Sequence, residues 1–371
     1  MEIYDFLITA GDPSGDLHGS RLIAALKKQN PSIKIAAVGG PFMKEVADQF
    51  LDDLATDGVV GFLEPVLKMP RFFKSAFKIR DFLRARQAKS LVCIDYYGFN
   101  RRLLEFAFKA RVPAYYYISP QVWASRPYRI KVIARWVKKV FVIFPFEEKL
   151  YRDAGVDCEF VGHPLLDIVC EPVARVEMPE APFIGILPGS RKSEISRHLP
   201  IFLEAFKIFK KRFPKARAAV FAARALPDSA YKAAWDEGIE VVREFHYQRR
   251  SSLDLALCSS GTATLENALL GIPMVVAYKM SRPTYFLARA LIKVPYIAMA
   301  NILAGKKIVP ELIQDEANPP ELAGALSSLW DKPEDYFKIR QELIGLRKSL
   351  GNPGVSERVA RLMLESAAGG R

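Results

Sequence analysis

The sequence predicts an α/β protein built from two doubly wound parallel sheets, and three observations carry that expectation. Short apolar runs alternate with amphipathic helical runs along nearly the whole chain. Turns rich in Gly, Ser, Thr and Asp follow several of the apolar runs. Between Leu165 and Pro182 both periodicities lapse while Pro172, Pro179 and Pro182 accumulate, which marks a linker. At 371 residues the chain has length for two cores.

Taken in order, "IYDFLITA", "IKIAAVG", "SLVCID", "PAYYYIS", "VKKVFVIF" and "CEFVG" read as strands of the first half. "FIGILPG", "RAAVFAA", "LDLALC" and "PMVVAY" read as strands of the second. The expected boundaries are a first domain over 1–168, a linker over 169–182, a second domain over 183–345, and C-terminal helices over 346–371, for which the sequence leaves open whether they pack back on the first domain. No period of about 20 to 50 residues repeats.

Composition narrows the function. Lys plus Arg exceed Asp plus Glu by 54 to 41, a formal charge of +13, which favours anionic partners such as nucleotides, phosphorylated substrates, nucleic acid or an acidic membrane face. Cys93, Cys158, Cys170 and Cys258 are widely spaced, as are His18, His163, His198 and His246, so buried thiols are expected and no metal site. The acidic start "MEIYDFLITAGD" is unlike a signal peptide, and Lys293 and Pro295 interrupt the longest apolar stretch, so a soluble or peripheral protein is expected.

In open α/β sheets ligands sit beyond the carboxyl ends of the strands, which draws the argument to four turns. In "AGDPSGDLHG", Gly11 and Gly15 allow a tight turn and Ser14 can cap the helix; a simple capped turn and an anion-binding loop both fit. In "CIDYYGFNRRLL", Asp95 ends an apolar strand, where a carboxylate either serves as general base or caps the next helix. In "ILPGSRKSEISRHLP", Gly189 and Ser190 make a turn that presents Arg191 to phosphate, with Ser193 opening the helix. In "CSSGTATLENALLGIPMVVAY", Ser260, Gly261 and Thr262 offer hydroxyls and N–H groups to a diphosphate at a helix start, and Glu266, one turn on, suits a ribose diol. Neither a Walker loop nor G-x-G-x-x-G occurs.

With these turns in view, the sequence resembles the lipid-A-disaccharide synthases, inverting glycosyltransferases of the GT-B fold. Eleven motifs in order carry the resemblance: "SGD" from Ser14, "GFLE" from Gly61, "IDYYGFN" from Ile94, "YISPQVWA" from Tyr117, "PFE" from Pro145, "VGHPLLD" from Val161, "LPGSRKSEI" from Leu187, "SGTATLE" from Ser260, "PMVVAYK" from Pro273, "NILAG" from Asn301 and "VPELIQ" from Val309. The resemblance implies transfer from UDP-2,3-diacylglucosamine to 2,3-diacylglucosamine 1-phosphate, with UDP released and no cofactor. It implies a nucleotide site in the second domain (Gly189, Ser190, Arg191, Ser260, Gly261, Thr262, Glu266, Gln314). Asp95, Arg191 and Asn301 match positions needed for activity, and Ser14, Gly15, Asp16, His18 and Asn100 are expected on the acceptor side. The chain departs from the family pattern at Asp12, where Glu is usual, at Ser125, where a second Trp is common, and at Gly98, where some members carry Asp; the last leaves Asp95 as the favoured base, with His18 its rival.

Acylated substrates require contact with a bilayer. In "EPVLKMPRFFKSAFKIRDFLRARQAK", Phe72, Ala76, Ile79 and Leu83 form the core-facing stripe, while Phe73 and Phe77 fall off it near Arg80 and Arg84. From Lys68 to Lys89 there are eight Lys or Arg and one acidic residue, Asp81, which suits an anionic leaflet at the inner face of a Gram-negative inner membrane. A second basic run, Arg126 to Lys139, suits acceptor phosphate, lipid headgroups or a solvated helix face. A homodimer is also among the expected assemblies. The competing functions are another GT-B transferase, a UDP-sugar epimerase, or a basic nucleic-acid-binding protein; the last lacks any reader motif, and no nucleic acid is expected.

Overall fold

A computed structural model of the chain describes residues 2–55, 64–223, 226–244, 246–285 and 294–368. The motif expected from Gly61, apart from Glu64, and Lys293 lie outside the described residues. The chain divides into two compact units: Met1–Asp167 together with Leu350–Arg371, and Ile168–Ser349.

Seven parallel strands form the sheet of the first unit: β1 (Tyr4–Thr9), β2 (Ile35–Gly39), β3 (Gln49–Asp53), β4 (Ala88–Ile94), β5 (Ala114–Tyr117), β6 (Lys139–Val142) and β7 (Cys158–Phe160). Their order is β3-β2-β1-β4-β5-β6-β7. The strands are apolar on both faces because helices cover both. Leu7, Leu91 and Cys93 enter one core with Ala76, Ile79 and Leu83 of helix Glu64–Arg84, as the periodicity of that segment predicts. Phe6, Ile8 and Val92, equally buried, alternate to the other face, where helix Pro13–Gln29 packs against helix Val355–Ala368.

That last helix belongs to the first unit through Asp167, whose carboxylate accepts the N–H groups of Gly354 (2.7 Å), Val355 (3.0 Å) and Ser356 (3.2 Å). Three orphan donors of a helix start are thus satisfied by one distant carboxylate. The preceding helix, Pro333–Ser349, runs straight through the boundary expected at 345, because Leu343, Leu346 and Leu350 continue its buried stripe.

The second unit holds β8 (Phe183–Leu187), β9 (Arg217–Phe221), β10 (Glu240–Val242), β11 (Leu255–Ser259), β12 (Met274–Tyr278) and β13 (Glu311–Ile313), all parallel, in the order β10-β9-β8-β11-β12-β13. Cys93 and Cys258 lie within β4 and β11 as fully buried thiols, pushed up to about 12 chiefly by burial.

In each sheet the strand order reverses once, between β1 and β4 and between β8 and β11. Crossover helices on the two sides of such a reversal leave on opposite faces and open a crevice at the strand ends. The turns singled out in the sequence follow β1, β4, β8 and β11. All four therefore stand at the two switch points.

Candidate active site

At the first switch point the turn after β1 is capped by Asp12. Its carboxylate accepts the Gly15 N–H at 2.7 Å, with Pro13 at the first helical position. The cap is therefore Asp12 and not Ser14, which is exposed in the first turn. Asp16 is buried and already spent: its oxygens accept from Gly40 N (2.8 Å), Met43 N (2.9 Å) and Phe42 N (3.0 Å), capping helix Pro41–Val46. Asp16 thus builds the turn and has a structural duty where an acceptor contact was expected. Gly11 leaves room for the Tyr96 ring, since a Cβ there would lie 2.2 Å from it.

Asp95 follows β4 with φ +44, and Tyr96 beside it has φ +39. Two successive left-handed non-glycine residues cost on the order of 1–3 kcal/mol each. Asp95 N–H donates to Tyr117 O (3.1 Å), while its carbonyl accepts from Asn100 Nδ2 (2.8 Å) and the Tyr116 hydroxyl (2.5 Å). Asn100 also meets Ile94 O and Thr9 Oγ1, so it acts as the brace of Asp95 and not as a free acceptor-side group. Burial, and secondarily the charge of Asp12, pushes the Asp95 carboxyl up to about 7. His18, by contrast, is buried near the Arg21 guanidinium and is held down to about 4. Of the two candidates, Asp95 thus stands near neutrality and His18 well below it.

A cavity of about 410 Å3 opens beside Asp95, lined by Tyr96, Tyr97, Gly98, Ser119, Gln121, Ser125, Arg129 and Phe144 among others. Behind it Glu147 is fully buried, accepting from Trp123 Nε1 (2.9 Å) and Phe144 N (3.2 Å), and burial raises its carboxyl to about 7. The "VWA" and "PFE" motifs thus join in one hydrogen bond.

At the second switch point Arg191 is the N-cap residue of helix Lys192–Arg212, so the helix opens one residue before Ser193. The residue that organises this turn is Glu194, which the sequence reading did not single out. It accepts from Ser190 N (3.1 Å), Arg191 Nη1 (3.1 Å) and the Tyr278 hydroxyl (3.3 Å). Its signal was the carboxylate four residues after Ser190, facing the orphan donors of a helix start. Gly189 has φ +126, and a Cβ there would lie 2.6 Å from Glu194 Oε2. His198, also unassigned, joins the Pro188 carbonyl (2.9 Å) to the Lys279 N–H (3.0 Å), tying the turn to the end of β12.

After β11 the chain passes through Ser260, whose hydroxyl donates to Ile297 O (2.7 Å), and Gly261 at φ +156, ψ −164, into helix Thr262–Leu269. Among the described residues no side chain caps this helix, and Gly261 and Thr262 are exposed. The Thr264 N–H turns back to Gly261 O (3.1 Å), while among the described residues no partner takes the Thr262 and Ala263 N–H groups, and a helix start of this kind favours an anion by geometry and dipole. Glu266 accepts from the Tyr247 hydroxyl (2.8 Å) and pairs with the buried Arg250. The same loop borders a cavity of about 550 Å3, lined by Arg243, Glu244, His246, Gln248, Arg249 and Ser252.

Asn301 and Gln314 are both held by hydrogen bonds of their own. Asn301 is fully buried; Oδ1 accepts from Ile308 N (2.7 Å) and Val309 N (2.9 Å), and Nδ2 donates to Val309 O (2.9 Å) and Glu311 Oε1 (2.8 Å). Both donors and both lone pairs are consumed, which leaves its amide nothing to offer a substrate. Gln314, at φ +56, exchanges two hydrogen bonds with the Met280 backbone (2.8 and 3.2 Å). Both hold the loops after β12 and before β13.

On helix Glu64–Arg84, Phe77 is 45% exposed and lies 6.3 Å from Phe73. Arg80 stands over Phe77 (4.7 Å), as its spacing predicted; over Phe73 stands Arg102 (4.2 Å) of the neighbouring helix Tyr97–Ala110, while Arg84 is exposed.

Comparison with known proteins decides among the α/β enzymes that share such switch points. A family model described as lipid-A-disaccharide synthetase matches residues 6–365. The chain belongs to the lipid-A-disaccharide synthase family. Curated members include the lipid-A-disaccharide synthases of Syntrophus aciditrophicus (39% identical over 369 residues, 96% of each chain) and Geobacter metallireducens (38% identical; 97% of this chain and 96% of the relative). Membership makes the protein a glycosyltransferase of lipid A biosynthesis. Solved structures of similar fold include a Staphylococcus aureus MnaA–UDP co-structure (TM-score 0.67, 11% identity, 99% of this chain and 97% of that one). A Neisseria meningitidis UDP-GlcNAc 2-epimerase bound to UDP-GlcNAc has TM-score 0.61 and 12% identity, covering 98% of this chain and 100% of that one. At such identity they establish the GT-B fold alone.

Proposed function

We propose that the protein condenses UDP-2,3-diacylglucosamine with 2,3-diacylglucosamine 1-phosphate, forming the β-1,6-linked disaccharide 1-phosphate and UDP. The observation that carries this reading, beside family membership, is the uncapped start of helix Thr262–Leu269 at the β8/β11 switch point, with the half-exposed Arg191 on the adjoining turn. In this reading the donor diphosphate meets those N–H groups and the Arg191 guanidinium, which Glu194 holds in place. The ribose exchanges hydrogen bonds with Glu266.

Inversion requires a single in-line displacement. Asp95, ionised, takes the proton of the acceptor 6-hydroxyl as that oxygen bonds to the anomeric carbon. The bond from that carbon to the β-phosphate oxygen breaks, and its electron pair leaves with UDP. Arg191 and the helix start stabilise the charge that grows on the diphosphate. Asn100, Tyr116 and the packing of Tyr96 on Gly11 aim the base. Asn301 and Gln314 act as positioning residues of the donor-side loops.

The exposed Phe77 and the half-buried Phe73 beside it, with Arg80, Arg84 and Arg102, are the proposed contact with an anionic bilayer, at the cytoplasmic face of a Gram-negative inner membrane. Each cation near such a surface contributes about 1 kcal/mol. No helix among the described residues is long and apolar enough to cross a membrane. A purified-enzyme assay with the two diacylated substrates, following UDP and disaccharide by mass spectrometry, tests the reading; UDP release without disaccharide would refute it.

A further inference from the structure

We propose that Arg129 binds a phosphate monoester on the acceptor sugar, in the cavity beside Asp95; the inference rests on the acceptor-site reading above. The cavity, about 410 Å3, is of the size that takes small ligands. Asp95, Tyr97, Ser119, Gln121 and Arg129 supply its polar lining.

Among the cations of its basic run, Arg129 is the one that lines this cavity. Lys139 is paired with Glu159 (2.9 Å), Lys138 donates to Ser366 O (2.8 Å), and Arg135 lies over Phe108. Arg129 is half-buried, and among the described residues its guanidinium meets no carboxylate; its carbon lies 4.6 Å from the Tyr97 ring. Stacking fixes the guanidinium plane and leaves its N–H edges unspent, a preorganised fork for a bidentate anion.

A second, independent feature points to a ligand. Tyr97, only 8% exposed, is a residue of the same cavity lining, and its buried hydroxyl has no hydrogen-bond partner among the described residues. A buried donor left unmade costs about 1–3 kcal/mol unless something arrives to accept from it. Burial raises the Tyr97 hydroxyl above its ordinary range, so it stays an O–H donor. A guanidinium and a hydroxyl donor sharing a cavity with the general base describe a sugar that carries its phosphate and its reacting hydroxyl into one pocket.

The same phosphate chemistry is offered by an anionic lipid headgroup, so the test separates the two sources. Steady-state kinetics of the full chain would compare wild type, Arg129→Gln and Arg129→Lys. The acceptors are 2,3-diacylglucosamine 1-phosphate and its phosphate-free counterpart, in neutral and in anionic mixed micelles. The expected result is an acceptor KM raised tenfold or more in Arg129→Gln, with the donor KM unmoved, partial recovery in Arg129→Lys, and no such penalty on the phosphate-free acceptor. A phosphate-free acceptor that the wild type does not turn over would support the proposal when the KM split holds. An equal loss on both acceptors, a change in donor KM, or a loss seen only in anionic micelles would overturn it. Absence of disaccharide from the wild type with both diacylated substrates would instead overturn the functional reading beneath it.

Discussion

Asp12→Asn tests the electrostatics of the proposed base without dismantling the turn that carries it. The Asp95 carboxyl stands at about 7, against an ordinary 3.8, with burial the larger cause and the charge of Asp12 the next. Asparagine keeps the side-chain oxygen that accepts the Gly15 N–H at 2.7 Å, and it caps helices as well as aspartate does, so the helix start survives. Only the charge is lost. Removing the lesser of two raising influences lowers the midpoint by on the order of one pH unit. The base works ionised, so kcat/KM rises with pH through the midpoint, and the variant's acidic limb moves to lower pH. Near pH 6 the ionised fraction rises roughly fivefold if the midpoint falls by about one unit from 7. The assay is kcat/KM for acceptor at saturating donor, from about pH 5 to about pH 9. A limb that stays in place, or moves up, would refute the coupling of Asp12 to the base.

Four further outcomes follow from the same geometry. Asp95→Asn, which suits the left-handed backbone at that position, should abolish turnover yet stabilise the fold at pH 8 by on the order of 2–4 kcal/mol in urea unfolding. The sign follows because the folded pKa lies above the unfolded one: stability tied to this carboxyl is full below about pH 4 and lost as pH rises through about 7, so equal stabilities at pH 8 would contradict it. Gly189→Ala should weaken UDP binding at least tenfold in calorimetry, since a φ of +126 costs about 1–3 kcal/mol and the new methyl meets Glu194; unchanged affinity would exonerate the turn. Phe73→Ser with Phe77→Ser should reduce sedimentation with anionic liposomes and leave UDP affinity alone; sedimentation at the wild-type level removes this face from the account. Asn301→Ala should lower the melting temperature together with activity, because it strands the buried Ile308 and Val309 N–H groups at about 1–3 kcal/mol each; full stability with lost kcat would put the amide on substrate instead.

What the sequence made legible was the part governed by local rules. Apolar runs followed by Gly, Ser and Asp turns located the ends of β1, β4, β8 and β11, and those four ends are the ones that topology places at the strand-order reversals. The stripe of Ala76, Ile79 and Leu83 with Phe77 outside it was equally readable from a period of 3.6. The illegible part was the assignment of polar partners over long separations. Asp16 looked like a loop ligand, yet it caps a helix that starts at Pro41. Asn301 reaches Ile308, Val309 and Glu311 in four hydrogen bonds, and Asp167 fixes a helix nearly 190 residues away. Such pairings are decided when packing brings segments together, and no spacing encodes them. The Asp12 cap carried a local signal, Asp-Pro at a helix start, although Ser14 was the residue expected to cap.

Determination of the structure with UDP bound tests the central claim most directly. The account predicts diphosphate oxygens against the backbone N–H groups that open helix Thr262–Leu269 and within reach of Arg191, with the ribose turned toward Glu266. Nucleotide seated instead at the turns after β1 and β4, with the Thr262 helix start unoccupied, would contradict it.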